Sequence, residues 1–178
     1  MSHWNYKHDA STNGLANVDY PHHEIHAGSA YEYCDIQTVG NGSFLHYLIE
    51  TPNTDEEQHL TFVITGSAIT TVEAFKTSTR VGNSSVVAAV NNMNHRSVNT
   101  TNLTDLDNGI TAAGADGTRF YCKHGGAAAG AFRASNETAS RQERILAKAA
   151  KTYFKIESGT NGNLVSVHFE WYEHTPLA

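Results

Sequence analysis

The feature that most constrains this chain is an alternating stretch near its C-terminus, residues 163–175. Apolar residues occupy every second position there: Val165, Val167, Phe169 and Trp171. A period of two is typical of an antiparallel strand that buries one face. Residues 152–157 carry Phe154 and Ile156 on one face, and a segment rich in turn formers separates the two stretches. Together they predict a β-hairpin with an irregular loop.

Further short strands are predicted upstream. They lie at residues 31–38, 44–51, 58–65, 68–76, 98–106, 118–124 and 143–147. Gly66 and Ser67 join two of them, which predicts a tight hairpin. A turn near Ala149 and Ala150 should follow the strand at 143–147. Eight or nine strands at roughly regular spacing predict an all-β fold, a single antiparallel β-sandwich of jelly-roll type, over residues 22–178.

Residues 1–21 are predicted to form an extended N-terminal arm. This segment mixes polar residues with Trp4, Tyr6 and Tyr20 and shows no periodicity, so it cannot build its own core. Trp4 and Tyr6 are candidate anchors for a pocket on a neighbouring subunit. We expect the arm to become ordered on assembly; a disordered leader is the alternative.

Charge and hydropathy exclude two classes of partner. The 178 residues carry a formal net charge of −6 with histidine neutral, so no basic face is expected to bind nucleic acid. No apolar run approaches the roughly 20 residues of a membrane helix. The N-terminus also lacks the charged and apolar segments of a secretory signal.

Histidines cluster just after the arm, where His22, His23 and His26 surround Glu24. Such a cluster invites a metal interpretation. In an extended chain, however, His23 would point away from the other three, and the spacing matches no known metal motif. We therefore predict a surface patch or a subunit contact through His22, His23 and His26, and no metal site.

A second polar segment, residues 91–97, is dense in side chains that bond their own backbone. Asn91, Asn92 and Arg96 supply planar donors that could bind a carbohydrate or an anion. A structured surface loop is the alternative, because such residues dominate turns. We predict that these three residues contact a partner.

Nothing in the sequence selects a catalytic site or a cofactor. Cys34 and Cys122 have no charged or glycine-rich setting that would activate a thiol, and we expect both to be buried and reduced. No nucleophile elbow is present, and the acidic run Asp55, Glu56 and Glu57 lies in a predicted loop. The chain is therefore not expected to be an enzyme.

Several segments resemble a group of small structural proteins of tailed bacteriophages. The matching stretches are residues 23–28, 47–53, 61–75, 91–97, 114–118 and 151–175, and the C-terminal ending from Glu170 to Thr175 is the most specific. The similarity spans about residues 22–175. The family pattern has what looks like an Asn-Thr turn at the positions of Ala149 and Ala150, and this chain departs from it there.

The resemblance implies a capsid decoration (cement) protein on the outer face of the virion head, with the major capsid protein as partner. Because closed symmetric oligomers are common, a homotrimer at a local three-fold position is expected. A receptor- or glycan-binding module of a head or tail fibre is the alternative, using the 91–97 loop and the aromatics Tyr31, Tyr33 and Tyr172. A small lyase or hydrolase is a third possibility.

Overall fold

The computed structural model of the protein describes residues 8–9, 14–15, 20–83, 89–99, 102–111, 113–127, 130–135 and 143–174. Within these ranges the chain is nearly all β-structure. The elements in chain order are β1 His8–Asp9, β2 Gly14–Leu15, α1 Tyr20–Ala27, β3 Ala30–Val39, β4 Phe44–Glu50, β5 Glu57–Gly66, β6 Thr70–Lys76, β7 Asn91–Asn92, β8 Asp105–Asp107, β9 Thr118–Gly125, β10 Phe132–Ser135, β11 Arg144–Leu146, β12 Lys151–Ser158 and β13 Asn163–His174.

Two antiparallel sheets pack against each other, which confirms the predicted β-sandwich. Sheet I has the strand order β10-β5-β13-β3-β7, and β11 also pairs with β5. Sheet II has the order β8-β4-β12-β6-β9. The short strands β1 and β2 pair with each other. The alternating stretch at the C-terminus is β13, the centre of sheet I, where it pairs with both β3 and β5.

The core lies between the two sheets and is rich in aromatic rings. Phe154 of sheet II has its ring centroid 4.8 Å from that of Phe169 and 5.1 Å from that of Phe62, both in sheet I. All three side chains are buried. The predicted inward positions of β13 are confirmed, because its four alternating apolar residues belong to this cluster. Burial of these rings supplies the main stabilising contribution to the sandwich.

Both predicted hairpins are wrong, because the strands of each pair lie in different sheets. β5 and β13 belong to sheet I, whereas β6 and β12 belong to sheet II. The two connections are therefore arches that cross the edge of the sandwich. A strand with one apolar face can bury it equally well in a hairpin or an arch, so the period of two does not distinguish them.

One buried side chain holds the β5–β6 arch in place. The amide oxygen of Asn163 accepts a hydrogen bond from the backbone N–H of Ala68 at 3.0 Å. Its amide nitrogen donates to Thr70 Oγ1 at 2.9 Å and to the carbonyl of Ile69 at 3.2 Å. Asn163 thus ties the start of β13 to the segment that leads from β5 into β6.

The extended conformation expected around the histidine cluster is also wrong, because residues 20–27 form α1. Pro21 lies in the first turn, where its missing N–H costs nothing. Gly28, with a φ of 77°, ends the helix. The N–H groups of Gly28 and Ser29 bond the carbonyls of Ile25 and Glu24, the pattern of a Schellman motif. The helix crosses the predicted boundary between arm and sandwich.

Other strand predictions differ in accuracy. The strand predicted at 143–147 and the turn after it are confirmed as β11 and the positive-φ residue Ala149. Of the stretch predicted at 98–106, Asp105 and Leu106 belong to β8, and its other described residues form no strand. The strands β7 and β10 were not predicted. Within the described residues, no helix has the length and apolar character of a membrane span.

Candidate functional site

Ionisable side chains concentrate on the outer face of sheet I, the face directed away from the core. Inward and outward positions alternate along β5 and β13, and the register places Tyr172 opposite His59 and His174 opposite Glu57. In the same way, β13 and β3 place His168 opposite Cys34 and Glu170 opposite Glu32. The outer face therefore carries two groups of histidine and acidic side chains, one at each pair of strands.

The first group, called the histidine-pair cluster, contains Glu57, His59, Glu143, Tyr172 and His174. The Nε2 atoms of His59 and His174 are 3.0 Å apart. The Glu57 carboxylate lies 3.8 Å and 3.9 Å from the same two nitrogens. On the other side of the His59 ring, Nδ1 is 2.9 Å from the Tyr172 hydroxyl, which donates to Glu143 at 3.1 Å.

The second group, called the cysteine cluster, contains Glu32, Cys34, His168 and Glu170. His168 Nε2 lies 3.4 Å from Glu32 and 3.5 Å from Glu170. Partial burial of the sulfur, and then the charges of Glu32 and Glu170, raise the pKa of the Cys34 thiol. The surroundings thus disfavour the thiolate form that nucleophilic chemistry or metal binding requires.

The expectation of buried cysteines is wrong. Cys34 on β3 and Cys122 on β9 are both exposed and are not joined by a disulfide. On β3 the alternate residues Tyr31 and Tyr33 are the buried ones, and on β9 the neighbouring Tyr121 packs partly against the core, so both cysteines take outward positions. Period two alone did not indicate which of the two faces would be the inner one.

A helix and an asparagine-rich loop cover one end of this face. Ile25 of α1 and Met93 of the loop line a cavity of about 120 Å³ together with His59, Glu143 and Tyr172. This volume is below the roughly 300–1,000 Å³ of pockets that enclose small molecules. The cavity therefore accommodates water or an ion more readily than an organic substrate.

The loop that follows β7 is held by its own side chains, which confirms the structured-loop alternative. Asn92 Nδ2 donates to the carbonyls of Gly28 and Asn99 at 2.8 Å and 2.9 Å. Asn94 Nδ2 donates to the carbonyl of His26 at 3.2 Å. These bonds attach the loop to the end of α1, and they use both amide hydrogens of Asn92.

The candidate contact residues are thus only partly brought together. Asn92 lies beside the end of α1 that carries His26. The side chains of the other described candidates are exposed to solvent: His23, His26, Asn91 and Arg96. Trp4, Tyr6 and the side chain of His22 lie outside the described residues. The three tyrosines expected to be exposed for glycan binding are buried, each at most 8 % exposed: Tyr31, Tyr33 and Tyr172.

The outer face of sheet II carries a different arrangement, covered by loops. The Arg80 guanidinium lies over the ring of Tyr153 and pairs with Asp116. Burial, followed by the charges of Lys155 and Arg80, lowers the pKa of His46, whose Nδ1 is 2.7 Å from the Tyr153 hydroxyl. Burial also raises the pKa of Tyr153 to about 12. This arrangement covers the small apolar cluster of Leu48, Phe75 and Tyr153.

The sequence did not single out the histidine-pair cluster. His59 and His174 are 115 residues apart, and neither lies in a metal-binding motif. The available signal was that both occupy polar positions in strongly alternating strands. Comparison of the chain with protein-family models, curated proteins and solved structures found no match.

Proposed function

We propose that the protein is a capsid decoration (cement) protein of a tailed bacteriophage. In this role it binds the outer surface of the head and stabilises contacts between subunits of the major capsid protein. The observation that carries the proposal is a β-sandwich whose interior is filled by its own aromatic rings. Such a molecule binds through its surfaces, and the sequence resemblance to phage structural proteins indicates which kind of surface it meets.

The strand order supports a jelly-roll arrangement, which capsid and lectin domains share. Strands β3, β4, β5 and β6 alternate between sheet I and sheet II, as do β9, β10, β12 and β13. Each sheet therefore interleaves strands from both halves of the chain. Pulling neighbouring strands of either sheet apart requires breaking pairs between segments that are distant in sequence, such as β3 with β13 and β4 with β12, which suits a part that must resist mechanical load.

Two features of sheet I offer a surface for another protein chain. Ile36 and Leu164 are 65 % and 51 % exposed and lie diagonally across the β3–β13 pair, on the outer face. Beyond Glu32, β3 pairs with no other described strand on its free side. Exposed apolar side chains beside an open strand edge are typical of protein-binding surfaces.

We further propose that the protein acts as a homotrimer on the virion exterior. A trimer matches a local three-fold position of an icosahedral shell, and closed symmetry prevents open-ended association. Light scattering should give three times the chain mass of 19.4 kDa. A stable monomer at high concentration would contradict the trimer.

The test compares phage heads that lack this protein with heads to which the purified protein has been added back. Binding to the shell should raise the rupture temperature, because a ligand that binds only the intact shell stabilises it by mass action. Replacing Ile36 and Leu164 by Asp should abolish binding without unfolding the protein. The matched control is Val98→Asp, at a loop position 97 % exposed.

Three outcomes would count against the proposal. They are an unchanged rupture temperature, equal binding by both variants, and a location at the tail in few copies. The last of these would favour the fibre alternative.

A further inference from the structure

We propose that the histidine-pair cluster binds a divalent transition-metal ion, with Glu57, His59 and His174 as its protein ligands and zinc as the best-matched ion. The inference stands apart from the proposed capsid role. It concerns residues that no sequence motif connects, since β5 and β13 bring them together only through their pairing.

The three ligand atoms are arranged as a metal ion requires. Their separations are 3.0 Å between the two Nε2 atoms and 3.8 Å and 3.9 Å from these to the Glu57 carboxylate. Zinc binds imidazole and carboxylate at about 2.0–2.2 Å, so neighbouring ligands of a tetrahedral ion lie about 3.4 Å apart. The observed separations bracket this value, and small rotations of the side chains would equalise them.

Hydrogen bonds behind His59 prepare its Nε2 for coordination. The Tyr172 hydroxyl donates its hydrogen to Glu143. Toward His59 it can therefore only accept a hydrogen bond, from Nδ1–H. Glu143 Oε1 is also 3.4 Å from the same Nδ1. With the proton on Nδ1, the lone pair of Nε2 faces His174 and Glu57. Metal-binding histidines are commonly oriented by a carboxylate in this manner.

The position of the site leaves one coordination place open and gives the ion a structural effect. The His59 and His174 side chains are 11 % and 12 % exposed, whereas Glu57 is 43 % exposed, so the open place faces solvent beside Glu57. The ligands join the first residues of β5, Glu57 and His59, to the last residue of β13, His174. An ion there would fix the C-terminal end of the central strand of sheet I.

The cysteine cluster provides a comparison on the same face. It also brings three potential ligands together, Glu32, Cys34 and His168. In that group, however, His168 Nε2 already faces two carboxylates, and no described tyrosine–carboxylate pair orients its ring as in the histidine-pair cluster. His168→Gln is therefore the matched control for substitutions in the histidine-pair cluster.

The experiment is calorimetric titration of the full-length, chelator-treated protein with zinc chloride. We expect one equivalent to bind and the melting temperature to rise. His174→Gln and Glu57→Gln should lose this equivalent, and Glu143→Gln should weaken it about 10- to 100-fold. His168→Gln and the double variant His23→Gln/His26→Gln should bind as the unaltered protein does.

A direct reading on the unaltered protein guards against variants that do not fold. Long-range ¹H–¹⁵N spectra of the imidazole rings should show the Nε2 signals of His59 and His174 moving on addition of zinc. Three results would overturn the proposal: no binding by the unaltered protein, undiminished binding by His174→Gln, and signals that move only for other histidines.

Discussion

The clearest test of the fold is Asn163→Ala, at the residue that ties β13 to the β5–β6 arch. The substitution leaves the buried N–H of Ala68 without its acceptor, at a cost of about 1–3 kcal/mol. It also removes the bond to Thr70 Oγ1, worth about 1 kcal/mol. The carbonyl of Ile69 still accepts from the N–H of Gly159 at 3.0 Å, so losing its bond to Asn163 adds little to the cost. We expect a loss of about 2–4 kcal/mol.

That loss is a large share of the roughly 5–15 kcal/mol that stabilises a typical domain. For a chain of this size it corresponds to a fall in melting temperature of roughly 4–16 °C. The assay is equilibrium unfolding in urea, followed by circular dichroism. The free energy of unfolding should fall while the slope with denaturant stays unchanged, since the surface exposed on unfolding is the same.

Asn161→Ala is the matched control, two residues earlier in the loop that leads into β13. Its amide oxygen also accepts a backbone hydrogen bond, from Asn41 at 2.9 Å, but this contact is exposed to solvent. Water replaces an exposed partner, so the control should lose about 0.5 kcal/mol or less. Equal losses for the two variants would refute the reasoning, because burial of the Ala68 N–H would then contribute nothing.

Four further outcomes follow from the structure. Phe154→Ala should lower the free energy of unfolding by about 3–5 kcal/mol, measured in urea, because its buried ring on sheet II packs against two rings of sheet I. Glu173→Gln should cost about 2–4 kcal/mol in the same assay, since the buried carboxylate accepts from the N–H groups of residues 103 and 104. His46 should titrate below 6.5 by NMR, and Lys155→Met should raise its pKa. Because the pKa of His46 is lower in the folded protein than in the unfolded chain, the unfolded chain binds more protons as the pH drops below 6.5, and stability should fall there. Alkylation of Cys34, followed by mass spectrometry, should require a higher pH than an ordinary thiol, because its pKa is raised.

Strand positions were the part of the fold that could be predicted from sequence. In β13 the alternation of apolar and polar residues continues over most of the strand, so local residue types alone determine which face is buried. The interior of the sandwich then follows from packing such faces together. At residues 98–106, alternating threonine and apolar residues predicted a longer strand, whereas among the described residues the pairing with β4 begins at Asp105.

The connections between strands could not be predicted in the same way. Gly66 favours a tight turn in a hairpin, yet here it permits a close approach, since a Cβ atom would lie 2.3 Å from Thr70 Oγ1. The arch that forms is bonded by Asn163, 95 residues after Ala68 in the chain, and a local turn signal does not reveal such a partner. By contrast, α1 was missed although its start and stop residues, Pro21 and Gly28, were visible in the sequence. Both signals are local, so this helix depends on no distant part of the chain for its bounds.

The histidine-pair cluster shows why the candidate site was harder to predict than the fold. Alternation indicates that His59 and His174 point away from the core, but it does not indicate that they meet. Their contact depends on the register between β5 and β13, and a slip of one residue would place one of them on the inner face. That register is set by burial of Phe62, Phe169 and their neighbours, which resist such a slip. The geometry of the site is thus a consequence of core packing on the opposite face of the same two strands.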